Sequence, residues 1–97
     1  MDKQQIYKDA LEKWGWQAQM DMVHEECLEL ASAIHKLRRV KGKNDWNEKM
    51  ADIHDEAADI IIMSQQLPLL LDMDKVQERI DFKLQRLSDK LYKTKTS

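Results

Sequence analysis

The sequence predicts an all-α protein, a four-helix bundle-type domain, and three observations carry that reading. Turn formers are scarce: 2 Gly and 1 Pro in 97 residues are too few for a many-stranded β protein with tight hairpins. Strong helix formers such as Glu, Lys, Leu, Ala, Met and Gln are plentiful. Apolar residues recur in steps of three and four along most of the chain. The length fits one domain, 1–97. A domain this short buries only a modest share of its surface, and association of copies is a common remedy.

Four helical segments follow in order. Asp2 with Gln5 three residues on is a capping signal for a first helix, 1–13. Trp14-Gly15-Trp16 interrupts it. A second helix, 17–40, carries Met20, Val23, Cys27, Leu30, Ala31, Ile34 and Leu37 as its apolar stripe. Cys27, the only cysteine, excludes an internal disulfide and a Cys-based zinc site, and its place on the stripe predicts a core residue. Lys41-Gly42-Lys43-Asn44 is a polar loop, with Gly42 at a helix stop. Asp45-x-x-Glu48 reads as a capping box for a third helix, 46–67, with Trp46 as a packing residue. Its stripe is Met50, Ile53, Ala57, Ile60, Ile61 and Leu67, and Pro68 ends or kinks it. Asp74-x-x-Gln77 is expected to cap a fourth helix, 75–91, with Val76, Ile80, Leu84, Leu87 and Leu91 facing the core. The tail, 92–97, is polar and expected to fray.

The third helix has an apolar excess. Ile60 to Met63 are consecutive, and at ~100° per residue they span most of the helix circumference. This places Ile62, Met63 and Leu69-Leu70-Leu71 at or near a subunit interface; the alternative is that the first helix covers them.

The formal net charge of −2 gives no global reason to expect a nucleic-acid polymer as partner. No apolar run approaches the ~20 residues of a membrane span, and the N-terminus lacks a signal-like apolar stretch, so the expectation is a soluble, cytoplasmic protein without a membrane partner.

The informative charges are local. The second and third helices echo each other at an offset of thirty residues: His24-Glu25-Glu26-Cys27-Leu28-Glu29-Leu30 aligns with His54-Asp55-Glu56-Ala57-Ala58-Asp59-Ile60. Glu26 and Glu29, like Glu56 and Asp59, are three apart and so neighbours on a helix surface. Each pair lies at the border between apolar stripe and solvent. Packed antiparallel, the two helices face the pairs towards each other across a cleft. Four carboxylates in a partly desolvated cleft repel one another, and a hard cation relieves that repulsion. All-oxygen ligation suits Mg²⁺ or Mn²⁺. Di-iron bundles want Glu-x-x-His, which His24, His35 and His54 do not complete. Glu25 and Asp55 point further outward, within reach of the metal through water. The competing reading is that these acids are a solvated face of a non-catalytic helical bundle, a regulatory or adaptor protein.

Arg79, Lys83, Arg86 and Lys90 form a basic ridge on the fourth helix, all within about 60° of one another. Beside a metal-loaded cluster, such a ridge holds phosphate oxygens, Lys83 and Arg86 foremost. The cluster from Lys36 to Lys43 is sufficiently explained by favourable placement at a helix C-terminus. An indole such as Trp16 can stack on a base and the amide of Gln19 can read its edge, although packing roles compete for each Trp.

Together these residues resemble the MazG-like all-α nucleoside triphosphate pyrophosphohydrolases. The resemblance rests on Glu25-Glu26-x-x-Glu29 followed by Glu56-x-x-Asp59, with Trp14-Gly15 and Gln19 upstream, Leu30, Ala31 and Lys36 after the first acids, and Lys83-x-x-Arg86-Leu87 late in the last helix. It covers roughly Trp14 to Lys90. It implies a helical bundle assembling as a homodimer or homotetramer, and Mg²⁺-dependent hydrolysis of a (deoxy)nucleoside triphosphate to the monophosphate and pyrophosphate. Carried over, Glu26, Glu29, Glu56 and Asp59 are the metal ligands, and Glu25 orients or deprotonates the attacking water. Lys83 and Arg86 steady the outer phosphates.

Overall fold

A computed structural model describes residues 1–93, which form three helices: α1 (Lys3–Leu37), α2 (Lys43–Leu70) and α3 (Met73–Tyr92). No strand occurs among the described residues, so the all-α expectation holds. The expected fraying of the tail lies outside them beyond Lys93. Among the described residues, no helix is long and apolar enough to cross a membrane.

The first two expected helices are limbs of α1. Asp2 caps the first limb as expected, its carboxylate accepting from the Gln5 amide at 3.1 Å. The interruption is a kink at Gly15, at φ 85 and ψ 167. That backbone region is open almost only to glycine. No heavy atom lies within 4 Å of a Cβ built on Gly15, so a side chain there meets strain rather than a clash. Gly15→Ala is expected to cost about 1–3 kcal/mol, measured as a shift in the urea midpoint. An unchanged midpoint means that the kink is not required.

The kink folds residues 3–14 back along α2. The Tyr7 hydroxyl donates to the side-chain amide oxygen Oε1 of Gln65 at 2.6 Å, and Tyr7 is buried. The limb after Gly15 runs antiparallel to α2. At its start the Trp16 indole donates to the Leu70 carbonyl at 2.8 Å, and near its end Lys36 shares a concavity with Asp52. The two helices make a hairpin closed by residues 38–42.

Several local expectations need correction. The start of α2 is Gly42, at φ 98, with no side-chain cap; Asp45 sits inside the first turn, where its carboxylate accepts from the Lys41 amide at 3.4 Å. Gly42 therefore opens α2 rather than stopping α1, which ends at Leu37. Pro68 lies inside α2, which ends two residues later. The fourth-helix cap is Asp72, accepting from the amides of Asp74 and Lys75, because only the residue before the helix can reach those free N–H groups. Trp46, expected to pack, is exposed, and so is Cys27, expected in the core.

The core is thin. Buried apolar residues are Tyr7, Ala33, Met63 and Leu70. Met63 and Leu70, expected near an interface, are covered within the chain, whereas Ile61 and Ile62 remain about half exposed at 55% and 47%. The first limb covers that region only in part, leaving a concavity of about 530 Å³ against Ile6 and Tyr7. The largest departure is α3. None of its residues is buried, and it packs along neither α1 nor α2. Ile80, Leu84, Leu87 and Leu91, expected in the core, are exposed.

Candidate metal centre

The hairpin register brings the two acidic pairs together. One carboxylate oxygen from each of Glu26, Glu29, Glu56 and Asp59 lies within 4.8 Å of the other three. Helical spacing explains the convergence: three-apart residues share a face, and antiparallel packing opposes the faces. Glu26 is buried, Glu56 and Asp59 are half-buried and Glu29 is exposed. The cluster therefore runs from the hairpin interior out to solvent.

Its electrostatics are unfavourable as they stand. Oε2 of Glu26 and Oε2 of Glu56 are buried without a hydrogen-bond partner. Burial pushes both carboxyls above the ordinary carboxylate value, and neighbouring charges push further: Glu29, Asp59 and Glu56 on Glu26, and Glu29, Asp59 and Asp55 on Glu56. The only ion pair among the described residues, Lys93–Asp89, is remote in sequence and on α3. Among the described residues, no cation is ion-paired with any of the four acids. Their donor set is all oxygen, and with the two orphaned atoms among them the four residues could hold a metal ion.

A concavity of about 220 Å³ opens from the cluster, lined by Glu29 and Glu56 together with Ser32, Lys36, Asp52 and Asp55. Lys36 is the residue that sequence reasoning missed. A helix C-terminus accounted for it, yet it lies two turns beyond Glu29 on the same side of α1, where a cation can meet an anion held at the acids. Asp52, one turn before Glu56, belongs to the same wall.

The chain does not match any family model, curated protein or solved structure in comparison. The site therefore rests on its own geometry.

The remaining expected site residues fall in different places. Glu25 is exposed beside Glu26, on the side of α1 that carries Glu29 and Lys36. Gln19 is buried, two turns before Glu26 on nearly the same face. Trp16 spends its N–H on the Leu70 carbonyl, leaving about half of its surface exposed. Lys83 and Arg86 line a shallow hollow of their own with Leu87 and Lys90 on α3, apart from the acids. Arg79 is engaged with the Phe82 ring, 4.7 Å from its centroid. Within one chain, the basic ridge and the acidic cluster are not joined.

Proposed function

We propose that this chain is a Mg²⁺-dependent nucleotide pyrophosphohydrolase that cleaves a (deoxy)nucleoside triphosphate to the monophosphate and pyrophosphate. One observation carries the reading: two buried, unpartnered carboxylate oxygens, on Glu26 and Glu56, inside a four-carboxylate cluster that opens onto a pocket. The resemblance to the MazG-like enzymes supplies the reaction.

Glu26, Glu29, Glu56 and Asp59 would hold the metal, which would supply neutralisation of charge on the phosphates and leaving pyrophosphate and a lowered pKa for the attacking water. Glu25 orients the attacking water and takes its proton as the oxygen bonds to the α-phosphorus. The bond from that phosphorus to the bridging oxygen breaks, and the electron pair leaves with pyrophosphate. Lys36 holds a phosphate oxygen from within the pocket. Lys83 and Arg86 contact the outer phosphates from the α3 of another copy, since their own acids are out of reach; the working form is a homodimer or homotetramer. Gln19 and Trp16 are the base-side residues, and the protein works in the cytoplasm.

The test is a panel of canonical and modified NTPs and dNTPs, with Mg²⁺ or Mn²⁺ and release of pyrophosphate as readout. Silence across the panel rejects the enzyme and leaves a non-catalytic bundle. Within an active enzyme, Glu25→Gln is expected to lower kcat by about 10²–10⁴-fold, the usual contribution of a general base. Metal-induced thermal stabilisation is expected to survive that change. Loss of the stabilisation makes Glu25 a ligand instead.

A further inference from the structure

Charge along the α1–α2 hairpin is sorted by position. Its two long arms, residues 16–35 and 50–70, hold eight Asp or Glu and no Lys or Arg. Its tip, residues 36–49, holds six Lys or Arg and two acids. Every Lys and Arg of the hairpin is therefore at one end, in a chain whose net charge is −2. The dipole of α1 accounts for Lys36, Arg38 and Arg39, which sit at its C-terminal end. It does not account for the others. Lys41 precedes α2 by two residues and Lys43 is the first residue of α2, where the helix dipole disfavours a cation.

These charges are unmatched within the chain. None of the six tip cations is in an ion pair among the described residues. The Arg39 guanidinium meets only the His35 ring, at 3.2 Å. Asp45, the acid nearest in sequence to Lys43, gives its carboxylate to the Lys41 backbone amide instead. Arg38, Arg39, Lys41 and Lys43 are exposed and Lys49 is half-buried. An indole stands among them. Trp46 is three residues from Lys43 and three from Lys49, so the three side chains form one strip on α2. Trp46 is 46% exposed. Val40 is the only aliphatic residue between Arg38 and Lys49.

We infer that the hairpin tip, Arg38 to Lys49, is a binding surface for single-stranded nucleic acid, with the lysines and arginines on phosphates and Trp46 stacked on a base. Three features select that partner. Unpaired cations clustered on one exposed tip gain by displacing the counterions of a polyanion. A stacking platform needs a base with an open face, which a single strand offers and a duplex does not. A membrane surface calls for an apolar helix face, and the tip has only Val40 beside the indole. The acidic arms behind the tip repel phosphate, so the strand crosses the tip rather than running along the hairpin. Binding at the tip is independent of the proposed reaction and is read with metal removed.

The test is fluorescence anisotropy of a labelled oligo(dT) of about 20 nucleotides, longer than the ~4–16 of one such site, titrated with the full chain in EDTA. Saturable binding is expected at about 50 mM salt. With about three to five phosphates neutralised, affinity should fall roughly 20–130-fold between 50 and 200 mM salt. Lys41→Glu combined with Lys43→Glu is expected to weaken binding at least ten-fold more than Arg79→Glu combined with Lys90→Glu, the same charge change on α3. An acid at the start of α2 suits the helix dipole, so helicity by circular dichroism is expected to be retained. Trp46→Ala should weaken binding about 5–150-fold, the usual worth of one stacked base. No saturable binding at low salt, equal losses in the tip and α3 variants, or a Trp46→Ala variant that binds like the wild type overturns the inference. So does a duplex of the same length bound as tightly as the single strand, or tip-dependent capture by phosphatidylserine vesicles without binding of the oligonucleotide.

Discussion

Replacing Glu26 and Glu56 together with Gln is expected to make the metal-free protein more stable and, at the same time, blind to Mg²⁺. Both carboxyls are held above their ordinary range by burial and by neighbouring acids, so their ionised forms oppose folding. A neutral amide of the same shape removes that opposition. In the wild type, Mg²⁺ at about 100 times its dissociation constant adds roughly 2.7 kcal/mol by binding only the folded state. For a domain of this size that is a rise in Tm on the order of 10 °C. The double variant should start higher and show no rise, and pyrophosphate release should be lost. The measurement is a pair of melting curves for each protein, with and without Mg²⁺. An undiminished rise in the variant puts the metal elsewhere, and a lower metal-free Tm contradicts the electrostatic account.

The same two groups set a pH dependence whose sign is unusual for carboxylates. Each holds its proton in the folded chain to a pH above its ordinary value of 4.5. Between that value and the raised ones, the folded state binds more protons than the unfolded state. Stability contributed by these groups is therefore present at and below pH 4.5 and is lost as pH climbs through the raised values. Salt-bridged carboxylates behave in the opposite way. The expected result is that, without metal, the wild-type Tm falls relative to the Glu26→Gln, Glu56→Gln variant as pH is raised from 4.5 towards neutrality. Adding Mg²⁺ should reverse the trend, because the metal needs the ionised carboxylates. A constant gap between the two proteins across that range rejects protonation of Glu26 and Glu56 as a source of the effect.

The acids were legible in the sequence because two independent regularities agree on them. Three-residue spacing fixes the face, and the thirty-residue echo between His24–Leu30 and His54–Ile60 fixes a matching face on the second helix. Opposing them takes only a short loop. The kink at Gly15 was legible for a similar reason, since a glycine between two indoles interrupts a strong apolar period. Periodicity tells less about what covers a face. It marks Cys27, Ile34 and the α3 stripe from Ile80 to Leu91 as apolar, yet within one chain they stay exposed. Periodicity fixes which face of a helix is apolar, but not how far the rest of the chain covers it. Caps were misplaced by two or three residues because Asp72 competes with Asp74, and Gly42 with Asp45, for neighbouring positions. Lys36 was hidden by an adequate simpler explanation, its place near the end of α1.

The Trp16–Leu70 hydrogen bond has a consequence for the acids. The hairpin is fastened at one end by the chain itself, through residues 38–42, and at the other by one indole N–H held 2.8 Å from a terminal carbonyl. The four carboxylates lie between these fastenings. The pair of helices is thus a set of tongs with a covalent pivot and a clasp, and the gap between its jaws is the ligand spacing. A small rotation about the pivot changes all four oxygen positions in concert. The clasp as well as the pivot therefore sets that spacing, and Trp16, ten residues upstream of Glu26, helps to fix how far apart the four carboxylates stand.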